Sequence, residues 1–401
     1  MSRIDDLIAE HCPDGVRHEP LRDVGIWYGG GTPSKARADF WKDGTIPWVS
    51  PKDMGRSIVD TTEDYITEAA VKGSATRLVP ANSVAVVVRS SILDRIFPSA
   101  LIPVAVALNQ DMKAVVARDG VSAGYLAHMF RSRGPAILRV ARKTGGSVAS
   151  IESSKLFSFR IPVPPLEVQR EIVRVLDTFA ELEAELEAEL EARRQQYAYY
   201  QISLLRTSTE RSQWMTLGDL GRVSMCKRVF KNETSSEGDI PFYKIGTFGG
   251  SPDAFISNQL YTNYRSRYSF PKKGDVLISA AGTIGRAIPY DGKPAYFQDS
   301  NIVWIDNNET IVLNRYLRYW YRVIQWTTDG SLIQRLYNEN IRRAKILVPP
   351  LDEQERIVGI LDKFDALVND LSIGLPAELA ARRKQYDYYR DKLLTFEEKT
   401  A

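Results

Sequence analysis

Cysteine, histidine and long apolar runs are all scarce in this 401-residue chain. Its two cysteines, Cys12 and Cys226, and its three histidines, His11, His18 and His128, form no CxxC and no HExxH spacing. A disulfide framework and a thiolate or histidine metal centre are therefore not expected, and a reducing, cytoplasmic setting is. No stretch of 18 residues is apolar and uncharged, and the charged start Met1-Ser2-Arg3-Ile4-Asp5-Asp6 leads into no apolar run. Neither a membrane span nor a signal peptide is expected. A phosphate loop is missing as well, because Gly29-Gly30-Gly31-Thr32 lacks the lysine that such a loop needs. The Asn/Asp-Pro-Pro-Tyr/Phe tetrapeptide of amino-methyltransferases does not occur, and the nearest Glu-x-Lys, Glu397-Glu398-Lys399, lies in a charged tail. An enzyme reading has no motif beneath it.

What the chain does have is itself, twice. Ile161-Pro162-Val163-Pro164-Pro165-Leu166-Glu167-Val168-Gln169-Arg170-Glu171-Ile172-Val173 returns 185 residues later as Ile346-Leu347-Val348-Pro349-Pro350-Leu351-Asp352-Glu353-Gln354-Glu355-Arg356-Ile357-Val358. Leu176-Asp177-Thr178-Phe179 answers Leu361-Asp362-Lys363-Phe364 at the same offset. Ala192-Arg193-Arg194 to Tyr197, Tyr199 and Tyr200 answers Ala381-Arg382-Arg383 to Tyr386, Tyr388 and Tyr389 at an offset of 189. A period of about half the chain excludes a solenoid and implies two similar modules in tandem, each ending in a long helix.

Charge is divided along the same lines. Residues 166–206 and 351–401 carry −4 and −3, whereas residues 1–165 and 207–350 carry +4 and +6. Basic modules on an acidic frame suit a polyanion partner held by the modules alone. In the frame, Ile172, Leu176, Phe179, Leu182, Leu186 and Leu190 recur at helical spacing after a Pro-Pro pair that stops any earlier helix. Ala180-Glu181-Leu182-Glu183 is then written three times, to Glu191, in strong helix formers. The second copy repeats the seam at Ile357, Ile360, Leu361, Phe364, Leu367 and Leu371, with a bend or turn expected at Gly374-Leu375-Pro376. Two such helices in one chain are expected to pack on each other.

The module bodies read as mixed and rich in strand, giving an α+β chain. Ser83 to Val88 and Lys113 to Ala117 in the first, and Asp275 to Ser279 and Asn301 to Ile305 in the second, are short β runs. Echoes link the bodies: Ile46-Pro47-Trp48 with Ile240-Pro241-Phe242, Gln110-Asp111 with Gln298-Asp299, and Gly146-Ser147 with Gly330-Ser331. The division expected is a helical segment 1–19, a first module 20–165, a helix 166–206, a second module 207–350 and a helical end 351–401.

Two copies of Val-Pro-Pro-Leu-x-x-Gln-x-x-Ile-Val-x-x-Leu-Asp-x-Phe, each followed by Ala-Arg-Arg-x-Gln-Tyr-x-Tyr-Tyr and Leu-Leu, resemble the specificity subunit of type I restriction-modification systems. The resemblance covers the whole chain, including the opening Ile8-Ala9-Glu10-His11-Cys12-Pro13-Asp14-Gly15-Val16 and the ending Gly374-Leu375-Pro376-Ala377-Glu378-Leu379-Ala380-Ala381-Arg382-Arg383. It implies two target-recognition domains, each reading half of a split site in double-stranded DNA, separated by long helices in an antiparallel coiled coil with internal pseudo-two-fold symmetry. It also implies two methyltransferase subunits as partners, restriction (helicase-nuclease) subunits joined through the complex, and a non-catalytic role in adenine methylation. S-adenosylmethionine, ATP and Mg would then sit on the partners, with no cofactor on this chain. A protein-only coiled-coil scaffold and a self-sufficient DNA-modifying enzyme remain the other classes to weigh.

Base readout needs Arg or Lys for guanine and Asn or Gln for adenine, and phosphates need cations and hydroxyls. In the first module these are Thr32, Ser34, Lys35, Lys52, Arg89, Arg139, Arg142, Lys143 and Thr144. Residues 120–151, which also hold Arg131 and Arg133, contain no acidic residue. In the second module they are Lys227, Arg228, Lys244, Arg265, Arg267, Thr283, Arg286 and Arg335. Asn109, Gln110 and Gln298 read better as amides capping strand ends. Partner contact is expected on the helices at Phe179, Leu182, Leu186, Tyr197, Tyr200, Phe364, Tyr386 and Tyr389.

Overall fold

A computed structural model describes residues 3–143, 148–207, 210–328 and 334–399. Thr144 and the echoes Gly146-Ser147 and Gly330-Ser331 lie outside the described residues. The chain divides into two compact units, residues 1–185 with 379–401, and residues 186–378.

In the first unit, strands Gly25–Gly29, Met112–Ala117, Ser83–Val87 and Ser99–Ile102 form an antiparallel sheet in that spatial order. All five residues of Ser83–Val87 are buried, as a valine-rich run without charge at a sheet centre should be. A fully buried valine there contributes about 1.5–3 kcal/mol relative to exposure. A second sheet orders Tyr65–Ile66, Ile46–Val49, Val106–Leu108 and Leu78–Val79, with the middle pair parallel. Helix Ala123–Ala141 buries Tyr125, Leu126, Met129 and Phe130 in the same core.

The second unit repeats the scheme. Val223–Ser224, Ile302–Ile305, Val276–Ser279 and Ala287–Pro289 make one sheet, and Phe255–Ile256, Ile240–Tyr243 and Tyr296–Phe297 make the other, again with a parallel pair. The parallel registers Trp48↔Ala107 and Phe242↔Tyr296 fall on the echo Ile-Pro-Trp/Phe. Helix Asn314–Val323 buries Tyr316, Leu317, Tyr319 and Trp320.

Each module is closed by a short antiparallel pair, His18–Pro20 with Arg160–Pro162 and Gln213–Thr216 with Lys345–Val348. The prolines that follow end each strand, and helices begin at Leu166 and Leu351. Tyr125 donates to the Pro162 carbonyl at 3.0 Å and Tyr316 to the Leu347 carbonyl at 2.9 Å, so each module helix is tied to its closing strand alike.

The first of these helices runs unbroken from Leu166 to Arg206. The second stops at Asn369 and a new helix spans Leu375–Leu393, so the expected bend is a full break. A side chain at Gly374 would stand 2.3 Å from the Ala366 carbonyl oxygen, which is why glycine closes this turn. In the first unit Phe179 lies against Tyr386 and Tyr389, at ring separations of 6.5 and 5.5 Å, and Arg383 meets Glu183 at 2.6 Å. The order of these contacts is antiparallel. In the second unit Phe364 lies against Tyr197 and Tyr200 at 6.2 and 5.6 Å. Burial pushes the Tyr197 phenol up to about 12. Leu182 and Leu371, expected within the apolar seams, are exposed, and Leu186 is half-buried.

The chain end closes on the first module. Val16 donates its amide to the Glu397 carbonyl at 2.9 Å and Lys399 returns one to Val16 at 3.1 Å. Gly15 has φ +87°, and a Cβ there would lie 2.7 Å from the same Glu397 oxygen. Among the described residues no helix is long and apolar enough to cross a membrane.

Candidate nucleic-acid interface

In the first module, strands Gly25–Gly29, Ile46–Val49, Ser83–Val87 and Val106–Leu108 all run out at one end of the two sheets, where Met112–Ala117 begins. The loops after them are bound to one another. Gly31 donates to the Leu108 carbonyl, Asn109 to Val49, Val88 and Arg89 to Asp111, and Ser90 to Ala149, at 2.8 to 3.2 Å. Thr32 therefore meets Gln110, Gln110 meets Asp111 at 3.3 Å, and Arg89 approaches Asp111 at 3.2 Å. This last approach is an ion-pair contact rather than an aligned hydrogen bond, since Asp111 Oδ1 takes no hydrogen bond.

Arg142 pairs with Asp94, and the Lys143 amide donates to Ser150 at 2.9 Å beside the bridge between Arg89 and Ser150. Ser34 and Lys35 are exposed on the loop after Gly31, and Arg139 is exposed in the last turn of Ala123–Ala141. Lys52 stands just past strand Ile46–Val49 but is taken up by Glu63 at 2.5 Å and Asp64 at 3.0 Å, which hold its ammonium well above the ordinary lysine range. Lys52 thus carries two exposed ion pairs on this loop.

The second module gathers the matching loops. Gln298 donates its amide to the Tyr243 carbonyl at 2.9 Å, Ala280 to Asn301 at 2.7 Å and Leu336 to Ala280 at 2.9 Å. Arg228 donates to Asp299 at 2.9 Å, so the acid equivalent to Asp111 also holds an arginine, but one that follows Val223–Ser224, the strand matching Gly25–Gly29, rather than the strand matching Ser83–Val87. Arg335 donates to Asn301 at 2.8 Å, Arg286 to the Phe248 carbonyl at 2.7 Å, and Lys244 pairs with Asp253 at 2.8 Å. Thr283 gives its carbonyl to the Ser279 hydroxyl within the loop that turns back to Arg286. Lys227 lies 5.2 Å from the centre of the Tyr268 ring.

Arg265 packs on aromatic rings. Its guanidinium sits over Tyr261 and Phe270, at 5.7 and 5.3 Å, so its packing is accounted for inside the module. Arg267 is exposed at the end of helix Asn258–Arg267.

Asn109 and Gln298 are caps. Asn109 Oδ1 accepts the Asp111 amide at 2.8 Å and Gln298 Oε1 accepts the Ile245 amide at 2.9 Å. Gln110, in contrast, is exposed. Sequence reasoning noticed the repeated Gln-Asp pair but not the duty of its acid. Asp111 and Asp299 are mostly covered and each steadies one exposed arginine. The surface pairs add little stability, but an arginine held on one side presents its remaining donors in a fixed plane, the form in which a guanine edge is read. Lys35, Arg139, Lys227, Arg286 and Arg335 carry no ion pair among the described residues, which leaves their charge for phosphates. Among the described residues no three His, Cys, Asp or Glu side chains gather as a metal site.

A family model described as the type I restriction modification DNA specificity domain matches residues 13–192 and again residues 210–381, one match on each module with its helix. A putative type I restriction enzyme specificity subunit of Haemophilus influenzae is 54% identical over 261 residues, 63% of this chain and 68% of that one. The EcoR124I/EcoR124II specificity subunit of Escherichia coli is 57% identical over 190 residues, 46% of this chain and 47% of that one, so this similarity spans under half of the relative. Among solved structures, the HsdS subunit of Thermoanaerobacter tengcongensis matches at a TM-score of 0.53 and 18% identity, covering 96% of this chain and 97% of that one. A chain from a structural study of type I R-M complex assembly and conformational transition matches at 0.66 and 19% identity, with 96% and 98% covered. At these identities the likeness is one of fold.

Proposed function

Since this chain belongs to the type I restriction-modification DNA specificity family, we propose that each module reads one half of a split DNA site. The helices carry the subunits that act on it. The observation behind this reading is the duplicated loop cluster: in both modules the equivalent Gln-Asp turn holds an exposed arginine, brought from a different strand end in each, Arg89 on Asp111 and Arg228 on Asp299. Around the shared frame the other polar residues differ, as two modules reading different bases require.

On this reading the chain supplies recognition and its partners supply chemistry. Two methyltransferase subunits dock along the helices, where the exposed Leu182 and half-exposed Leu186 offer apolar contact, and restriction subunits join through them. S-adenosylmethionine, ATP and Mg belong to those subunits, and the complex works on DNA in the cytoplasm. The test is genome-wide mapping of methylated adenines in cells with and without this gene. A split motif that disappears with the gene is expected. Loss of no motif would sink the reading, and co-purification of one copy of this chain with two methyltransferase copies checks the assembly.

A further inference from the structure

Two glutamines of the repeated motif make the same three hydrogen bonds in the two units. Gln169 Oε1 accepts the Ser122 amide at 2.8 Å, and its Nε2 donates to the carbonyls of Gly120 at 2.9 Å and Pro164 at 2.7 Å. Gln354 Oε1 accepts the Leu313 amide at 2.9 Å, and its Nε2 donates to Ile311 and Pro349 at 2.8 and 2.7 Å. Ser122 and Leu313 are the residues that cap helices Ala123–Ala141 and Asn314–Val323. Both glutamine side chains are 0% exposed.

Each glutamine therefore joins two separate backbone segments at three points: the loop entering the module helix, at its capping residue and two residues before it, and the Pro-Pro step from which the long helix starts. Buried backbone groups demand partners. A residue that filled the same space without an amide would strand one N–H and two carbonyls, and the cheapest relief is for the module helix to shift until water reaches them.

We propose that Gln169 and Gln354 are positioning residues for DNA recognition, each fixing the angle at which its module stands on its helix and so holding the unread gap between half-sites to a single length. The inference rests on the split-site reading above. It assigns gap fidelity to a joint inside each unit, separate from the residues that read bases.

The intact chain, co-expressed with its methyltransferase in a host free of other adenine methylation, carries the test. Gln354→Met removes the amide at nearly constant volume. Leu313→Pro removes the N–H that Gln354 accepts, sets a ring carbon against that oxygen and exchanges the leucine side chain, at a φ of −71° that proline adopts freely. Methylome mapping of both variants should show unchanged half-site bases, with the ratio of methylation at gaps one base pair too long or short to methylation at the native gap raised roughly tenfold or more, the scale of one lost buried hydrogen bond. Should Gln354→Met fail to assemble with its partner, Leu313→Pro decides alone. A single native gap in every variant that assembles, with methylation merely weaker, would overturn the proposal and leave the glutamines as stabilisers. A wild-type methylome without any split motif would instead bring down the split-site reading first.

Discussion

In the first unit Asp177 meets the buried His128 of the module helix at 2.8 Å, while Asp362, its equivalent in the second unit, meets Tyr319 and Arg315. Past that point the joints diverge further. Asp365 gathers Arg322 at 2.9 Å, Arg318 at 3.2 Å, Asn369 at 2.9 Å and Tyr197 at 3.3 Å. The residue 185 positions earlier is Ala180, with no charge to offer. One joint is a neutral imidazole between an acid and an arginine, and the other is a charged network around a half-buried carboxylate. The frames are copies, yet the chemistry holding each module to its frame is individual. The two modules can therefore be loosened separately, by different means.

The largest effect should come from the charged joint. Burial alone would raise the Asp365 carboxyl, but Arg322, Asn369 and Arg318 hold it below the usual range. Asp365→Ala leaves two largely covered guanidinium groups facing one another. Removing one partner of a buried pair costs about 3–5 kcal/mol, and with the arginines at 30% exposure the loss should be on the order of 2–4 kcal/mol. Chemical denaturation of the variant should show the second unit unfolding early and the first unchanged. Ala180→Asp in the first unit, where Ala127 stands at the position matching Arg318, should yield no matching gain.

The neutral joint should respond to acid instead. Nε2 of His128 faces Asp177 and Nδ1 faces Arg131 at 3.1 Å, so the neutral ring donates to the first and accepts from the second. A second ring proton would point at an arginine donor. Burial lowers the His128 pKa, against the opposing pull of Asp177. The unfolded chain thus binds the proton more readily than the folded one, and stability rises with pH through the unfolded value near 6.5. As pH falls below about 6.5 the first unit should lose up to about 1.4 kcal/mol per pH unit. The second unit, which has no histidine, should not share this loss. His128→Tyr, copying Tyr319, should flatten the profile. A pH dependence surviving that substitution would show that another group titrates.

These joints also mark how far the sequence can be read. The duplicated Pro-Pro step announced helices at Leu166 and Leu351, and short valine- and isoleucine-rich runs announced buried strands, because both signals are local. Arg228 on Asp299 joins residues 71 apart, and no spacing encodes such a pair. Arg265 is read from charge alone, and its seat over two aromatic rings of its own module is a contact that no spacing announces. Leu371 fitted the helical seam by period, but the helix ends at Asn369, before the seam reaches it.

The smallest change in stability should accompany the most specific change in function. Ala180–Glu191 is one tetrapeptide three times over, so deleting any copy yields the same chain, and the boundary between the two units falls inside the middle copy. The aromatic contacts of Phe179 with Tyr386 and Tyr389, and of Tyr197 and Tyr200 with Phe364, lie to either side. Leu182 is exposed and Leu186 half-buried, so little apolar burial is lost, and stability should change by less than about 1 kcal/mol. Four residues shorten a helix by about 6 Å and turn it only about 40° past a full revolution. Duplex DNA rises about 3.4 Å per base pair, so the gap between half-sites should shrink by roughly one to two base pairs while the bases read stay the same. Methylome sequencing separates this from the glutamine clamps: deletion should give one new gap length, whereas clamp variants should tolerate several. An unchanged gap would mean that this stretch of helix does not set the distance, and the difference between a shifted gap and a blurred one would then rest on the clamps alone.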